Sequence, residues 1–448
     1  MNDMNKRTFL SLLLCVCSLS FLHAERVDMQ QAGADIQGRK LNTALINSTI
    51  DRLNANGGGT LFFPAGTYLT GSIHMKSNIT LELEAGATLK FSENFDDFLP
   101  YVEVRHEGIM MKSFQPLIYA VDAENITIKG EGTLDGQGKA WWTEFFRVLV
   151  DLRDNGKRNI NKYQPMFEKE NDLKALYAET NEDWHGTLDR RFFRPPFIHP
   201  IRCKNVRVEG VKIINSPFWT VNPEFCDNVT IKGITIHNVP SPNTDGINPE
   251  SCKNVHISDC HISVGDDCIT IKSGRDLQAR KLGVPCENIT ITNCTMLSGH
   301  GGVVIGSEMS GSVRKVTISN CVFDGTDRGI RIKSTRGRGG VVEDIRVSNI
   351  VMSNIKQEAV VLNLKYSQMP AEAKSERTPI FRNVHISGMT VTDVKTPIKI
   401  VGLEEAPISD IVLRDIHIQG ARQKCIFEDC ERITMDNVII NGEEIKLK

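Results

Sequence analysis

Hydrophobic and polar residues alternate along most of this chain in short runs, each opened by an asparagine or another polar residue. Asn205-Val-Arg-Val, Asn228-Val-Thr-Ile, Asn254-Val-His-Ile and Asn288-Ile-Thr-Ile set the pattern. Lys315-Val-Thr-Ile, Asp344-Ile-Arg-Val, Asn383-Val-His-Ile, Asp410-Ile-Val-Leu and Arg432-Ile-Thr-Met continue it, and Asn78-Ile-Thr-Leu and Asn125-Ile-Thr-Ile precede it. Alternation of β-branched and polar residues at period two predicts strands with one buried face. The openers at 205, 228 and 254 stand 23 and 26 residues apart, within the range of solenoid units. Short strands at this spacing, without long helices between them, predict an all-β fold: a right-handed parallel β-helix whose coils stack ~4.8 Å apart. A propeller is the alternative, but its repeats are longer and lack the Asn-Val/Ile opener. The opening asparagines are expected to form a side-chain ladder at the turn.

Two stretches depart from the period. Residues 39–53, with Leu41, Ala44, Leu45, Thr49 and Leu53, read as an amphipathic helix that caps the N-terminal end of the solenoid. Gly57-Gly58-Gly59 then turns the chain into Leu61-Phe62-Phe63. Residues 140–198 carry Trp141-Trp142, Phe145-Phe146, Arg190-Arg191 and Arg194-Pro195-Pro196. They are expected to be a partly helical insertion folded over a cleft; as a solvated excursion they would only cover core.

At the N-terminus, cations at Lys6 and Arg7 precede an apolar run from Phe9 to Leu22 and then His23-Ala24-Glu25. This predicts a secretory signal peptide over 1–24 and an exported chain, periplasmic or released. A lipid anchor at Cys15 lacks the small residues such a cysteine usually follows. Residues 25–448 then form the β-helix domain, and no later window is apolar enough to span a membrane. A net charge of -2 argues against a nucleic-acid binder, and aromatics at 6% argue against broad stacking platforms. Of the 12 cysteines, ten follow the signal segment. Cys203, Cys226, Cys252 and Cys286 share one phase of the repeat, and Cys260, Cys294 and Cys321 share another. This predicts stacked buried thiols rather than a disulfide framework, and no Cys/His set has zinc spacing.

Candidate chemistry lies in four elements about one repeat apart: Asn243-Thr244-Asp245-Gly246, Gly265-Asp266-Asp267-Cys268, Gly299-His300-Gly301 and Arg331-Ile332-Lys333. Asn254 to Asp266, Asn288 to His300 and Lys315 to Asp327 are each 12 residues. This phase puts Asp266 under His300 and Asp245 under Asp267. Strand parity would separate Asp266 from Asp267, so a bend exposing both is expected at the strand start. Singly, Asp-Asp is a solvated edge, Asn-Thr-Asp-Gly a turn and Gly-His-Gly a loop; together and in phase they form one surface. Three carboxylates at coil spacing cannot all ionise cheaply, which keeps an acid beside a base. Such a split suits glycoside hydrolysis, and Arg331 and Lys333 supply cations for a substrate carboxylate.

At these motifs the chain resembles the polygalacturonases, the pectin-cleaving glycoside hydrolases of family 28, over about residues 26–448 less the insertion. The resemblance implies Asp266 as general acid, with Asp245 and Asp267 holding and deprotonating the attacking water. It implies His300 as the residue that tunes the acid. Arg331, Lys333 and, less closely matched, Tyr366 would bind the galacturonate on the leaving-group side, with Asn243 also in contact. The implied mechanism is inverting, with no cofactor and no metal. Asn248 departs from the pattern, since many members carry Asp there. The expected substrate is an acidic galacturonate-containing polysaccharide or oligosaccharide, cleaved in exo fashion if the insertion closes one end of the cleft. A hydrolase of rhamnogalacturonan or its oligosaccharides is the alternative. A calcium-dependent pectate lyase or a non-catalytic polysaccharide-binding β-helix fits the acids less well. A monomer is expected, as for most solenoids.

Overall fold

A computed structural model describes residues 25–156, 192–238, 241–366 and 373–446. The expected signal segment and Arg190-Arg191 lie outside the described residues. The chain forms a right-handed parallel β-helix, as the repeat predicts. One sheet starts with strand Glu25–Asp28 and runs in parallel register through Gly59–Phe63, Ile79–Leu83, Glu124–Gly130, Lys204–Glu209, Asp227–Lys232, Lys253–Ser258 and Cys286–Thr292. Long strands Val313–Asp324, Val341–Asn363, Ile380–Val401 and Ile408–Ala421 continue it and turn from one face into the next.

The openers explain the repeat. Asn78, Asn125, Asn205, Asn228, Asn254 and Asn288 all have φ between 55° and 62°, the left-handed region that asparagine tolerates best. Their side chains form the expected ladder: Asn125 donates to Asn78 at 2.7 Å, Asn205 to Asn125 at 2.8 Å and Asn228 to Asn205 at 2.7 Å. Between turns, valines and isoleucines point inward; Ile126, Val206, Val229, Val255, Ile289, Val316 and Ile345 are a buried row. Cys203, Cys226, Cys252 and Cys286 stack in the same interior, all unbridged, with the Cys203 amide 3.4 Å from the Cys226 sulfur. Burial of such columns, at roughly 25 cal/mol per Å² of apolar surface, is what holds a solenoid together.

The N-terminal helix is present as Thr43–Ala55, but its buried face is Ile46, Thr49, Ile50 and Leu53, while Leu41 lies outside it and is exposed. It packs against strands Gly59–Phe63, Ile73–His74 and Ile79–Leu83 and covers the first coils.

The 140–198 stretch starts with a helix, Lys139–Asn155, and the solenoid resumes at strand Ile198–Ile201. Trp141 is fully buried against Phe95, Phe98, Phe114 and Phe192, at ring distances of 4.2, 5.4, 5.0 and 6.1 Å. Trp142 donates its indole N–H to the Ser216 carbonyl at 3.0 Å. Both tryptophans thus fasten the insertion to the solenoid rather than face a ligand. An element the period did not predict precedes it: the antiparallel hairpin Val102–His106 with Ile109–Ser113.

Candidate active site

The third face of the solenoid carries the cleft. Its rows run through Ile198, Val221, Ile247, Ile269, Val303 and Ile330, which point inward and set the register. Asp267 pairs with Gly301, and the Gly246 amide donates to the Asp267 carbonyl, so Asp245 lies one coil beneath Asp267. The His300 amide donates to the Asp266 carbonyl at 2.8 Å, which puts Asp266 directly under His300. Both stackings are those the repeat phase predicts. The chain bends at Gly265-Asp266 before the strand Asp267–Ile271 begins, so both aspartates reach the cleft. Close approach of coils makes this bend possible: a Cβ on Gly265 would sit 1.9 Å from the Ser241 carbonyl oxygen, and one on Gly299 2.5 Å from that of Asp266.

Each of Asp245, Asp266 and Asp267 offers a carboxylate oxygen within 4.8 Å of the others. Their environments differ. Asp267 is buried and paired with Lys333 Nζ at 2.8 Å and Arg331 Nη1 at 3.4 Å. Burial alone would push it up; the two cations outweigh burial and hold it at about 2. Asp245 is equally buried but has only a longer cationic contact, Lys272 Nζ at 3.9 Å, and accepts from Thr270 Oγ1 at 3.3 Å. Burial and the Asp266 charge push it well up. The two deep carboxyls are thus pushed in opposite senses, Asp267 down and Asp245 up. Asp266 is the least buried of the three, its side chain 20% exposed, and it lies 3.2 Å from His300 Nδ1. That hydrogen bond raises the half-exposed imidazole above its usual value.

Arg331 and Lys333 are less exposed than free substrate cations would be, because they are already engaged with Asp267 and packed 5.6 and 5.4 Å from the Tyr366 ring. Asn243 donates to Asp266 Oδ2 at 3.5 Å and is itself gripped by Arg194, the buried arginine at the insertion's end. All eight predicted site residues thus line one cleft of about 720 Å³. Asn248, the departure from the pattern, does not; it is buried alongside.

The same cleft holds residues the motifs did not point to. Trp219 lies beneath Lys272, whose Nζ is 4.6 Å from the ring centroid, and Lys272 pairs with Glu308 at 2.7 Å. Arg275 and Arg338 line the cleft beside Glu107, with Arg338 bonded to Asp276 at 2.6 Å. Trp219, Asp245 and Asp267 stack on successive coils, but at 14, 17 and 13 residues past their openers, so spacing held no signal for Trp219. Lys272 and Lys333 lie two coils apart, each 18 residues past its opener, so the alignment did contain a signal for Lys272. Glu107 comes from the hairpin, whose alternation about Glu107-Gly108 is a local hairpin signal.

The hairpin, not the insertion's tryptophans, crosses the N-terminal end of the cleft. Its Gly108 carbonyl accepts from the Arg275 amide at 3.1 Å, and Glu107 lies 3.4 Å from Arg275 Nη1. His106 stacks on Phe218 at 4.5 Å, and Phe218 in turn stacks on Trp219 at 5.1 Å. Beyond the hairpin the outward positions His199, Asn222, Glu224, Asn248 and Glu250 are fully buried. Toward the C-terminal coils the cleft is lined by Arg331, Lys333 and Tyr366.

A solenoid groove with this acid–cation floor defines a glycoside hydrolase of the parallel β-helix class. The family model for glycosyl hydrolases family 28 matches residues 184–443. A hyperthermoactive exopolygalacturonase from Thermotoga maritima superposes with a TM-score of 0.81 at 37% identity, covering 94% of this chain and 93% of that one. A probable polygalacturonase from Vitis vinifera is 30% identical over 395 residues, 86% of this chain and 72% of its own. An endo-polygalacturonase from Pectobacterium parmentieri is 32% identical over 332 residues, 72% of this chain and 73% of its own. The chain belongs to glycosyl hydrolase family 28.

Proposed function

We propose that this protein hydrolyses α-linked galacturonides of pectin, homogalacturonan or its oligosaccharides, from the non-reducing end. The observation that carries this reading is a cleft with three in-phase aspartates that is crossed at one end by the hairpin around Glu107. Asp266, the most accessible of the three, donates its proton to the leaving glycosidic oxygen, with Asn243 and His300 holding it in place. Asp245 and Asp267 lie deeper and hold the attacking water between them. As its oxygen bonds to the anomeric carbon and the glycosidic C–O bond breaks, the water's proton passes to one of these two carboxylates. Arg331, Lys333 and Tyr366 receive the galacturonate on the leaving side, the two cations serving Asp267 as well as the sugar carboxylate.

Inversion is the expected stereochemistry. Carboxylates this close are more usual where one attacks carbon directly. Here Asp267 is tied to Lys333 and Arg331, which leaves it less free to attack carbon than a carboxylate facing the sugar alone. The anomer released first, read by NMR, decides between the two routes.

Export and a monomeric state belong to the same proposal, resting on the Met1–Glu25 pattern and on the solenoid form. The experiment is chromatography of products over time from polygalacturonate, in parallel with rhamnogalacturonan oligosaccharides. Galacturonate monomer from the first substrate supports the proposal. Early mid-length oligomers overturn exo action, and activity confined to the second substrate overturns the substrate.

A further inference from the structure

Resting on the exo reading above, we propose that Arg105 is a positioning residue: it latches the hairpin across the cleft, so that Glu107 bars a chain from running beyond its terminal sugar.

A two-stranded hairpin is marginal by itself and takes its place from what it docks on. This one forms its own two-stranded sheet, separate from the solenoid sheets. Arg105 is its buried anchor, only 1% exposed. Its Nε donates to the Gly108 carbonyl at 3.2 Å, closing the hairpin on itself, and its Nη1 donates to Ser251 Oγ at 3.1 Å on the solenoid. Nε also lies 3.6 Å from Glu250 Oε1, and the guanidinium lies 4.6 Å from the Phe225 ring centroid. The solenoid leaves room for this group: a Cβ on Gly274 would sit 1.8 Å from Arg105 Nη2.

The receptor is unusual. Glu224 and Glu250 occupy equivalent places on successive coils and are fully buried, and none of their carboxyl oxygens has a hydrogen-bond partner among the described residues. His199 Nε2 lies 3.9 Å from Glu224 and is likewise unpartnered. Burial pushes both carboxyls up, with the neighbouring Glu250 charge adding to the effect on Glu224. A guanidinium beside two carboxyls that burial pushes toward their neutral forms gives a cluster of low net charge, which is how a charge is tolerated out of water. Such a receptor ties the hairpin to one position through charge and shape together, while Glu107 one turn away faces the cleft. A further uronate there would meet the Glu107 carboxylate.

The test compares wild type, Arg105→Met/Glu250→Gln, Arg105→Lys and Ser251→Ala on polygalacturonate, reading early product sizes and viscosity loss per reducing end. The double variant removes Arg105 together with the carboxylate nearest it, leaving Glu224 as the one carboxyl of the receptor pair. We expect monomer from wild type, mid-length oligomers and a several-fold larger viscosity loss from the double variant, a smaller shift for Ser251→Ala, and near-wild-type products from Arg105→Lys. Limited proteolysis within 101–114 should accelerate in the same order. If the double variant fails to fold, Ser251→Ala and its proteolysis decide. Monomer-only products from folded variants of a monomer-releasing wild type overturn the latch alone. Mid-length oligomers from wild type overturn instead the exo reading on which it rests.

Discussion

Lys333 Nζ lies 2.8 Å from Asp267 Oδ2, a contact across two coils between residues 66 positions apart. Both are buried, so the pair is screened little by solvent, and it holds Asp267 at about 2 against the upward push of burial. A folded value below the ordinary 3.8 means that the pairing contributes full stability above 3.8 and loses it as pH falls through about 2. Lys333→Met is expected to raise the acid limb of kcat/KM by roughly one to three pH units, the usual effect of an adjacent cation on a carboxylate. The variant should also unfold at a higher pH than wild type in an acid titration followed by circular dichroism. An unmoved acid limb would separate Asp267 from catalysis.

Asp266→Asn should lower kcat by about 10²–10⁴ with little change in KM, since the loss falls on proton transfer. His300→Asn should cost less at the optimum but move the alkaline limb down. The His300 imidazole is raised by Asp266, so its positive charge persists below that raised value and is lost as pH rises through it. Initial rates across pH, fitted separately for kcat and kcat/KM, measure both effects.

Arg194→Met tests how the insertion supports the site. Arg194 is buried, donates to the carbonyls of Pro217 and Pro242 at 3.1 and 2.6 Å, and holds Asn243 Oδ1 at 2.8 Å. Hydrogen bonds from a charged group contribute about 1.5–3 kcal/mol each, and their loss leaves three acceptors unpaired. We expect destabilisation by roughly 4–5 kcal/mol or more in denaturant unfolding, together with a fall in kcat as Asn243 loses its hold on Asp266.

Activity should survive a strong chelator and gain nothing from added calcium, with no unsaturated product. The three aspartates are close enough to attract a divalent ion. Lys333 and Arg331 already supply the positive charge on Asp267 that such an ion would bring. Absorbance of unsaturated uronides and reducing-end release, each with and without chelator, check this; chelator-dependent unsaturated product would make the enzyme a lyase.

The coil was readable from sequence because the strand period is two and because each unit opens on a residue suited to positive φ. Asn205, Asn228 and Asn254 mark the turns whatever the rest of the chain does. Equal distance from those openers, 12 residues, aligned Asp266 with His300, whereas Asp245 is 17 residues past Asn228 and Asp267 only 13 past Asn254, so their stacking is fixed by the pairing of Ile247 with Ile269. The chain alone therefore determined the fold, the cysteine columns and the eight-residue site. It did not determine the ionic partners: which cation meets Asp267, and that Lys272 turns to Glu308, depends on side chains from different coils competing in a buried groove. Nor did it determine what crosses the cleft. Arg105 and Ser251 are 146 residues apart, and the hairpin lies outside the repeat that gives phase its meaning. Local periodicity carries information only as far as neighbouring coils; docking of an excursion onto the solenoid is a long-range contact, and only the tertiary structure decides it.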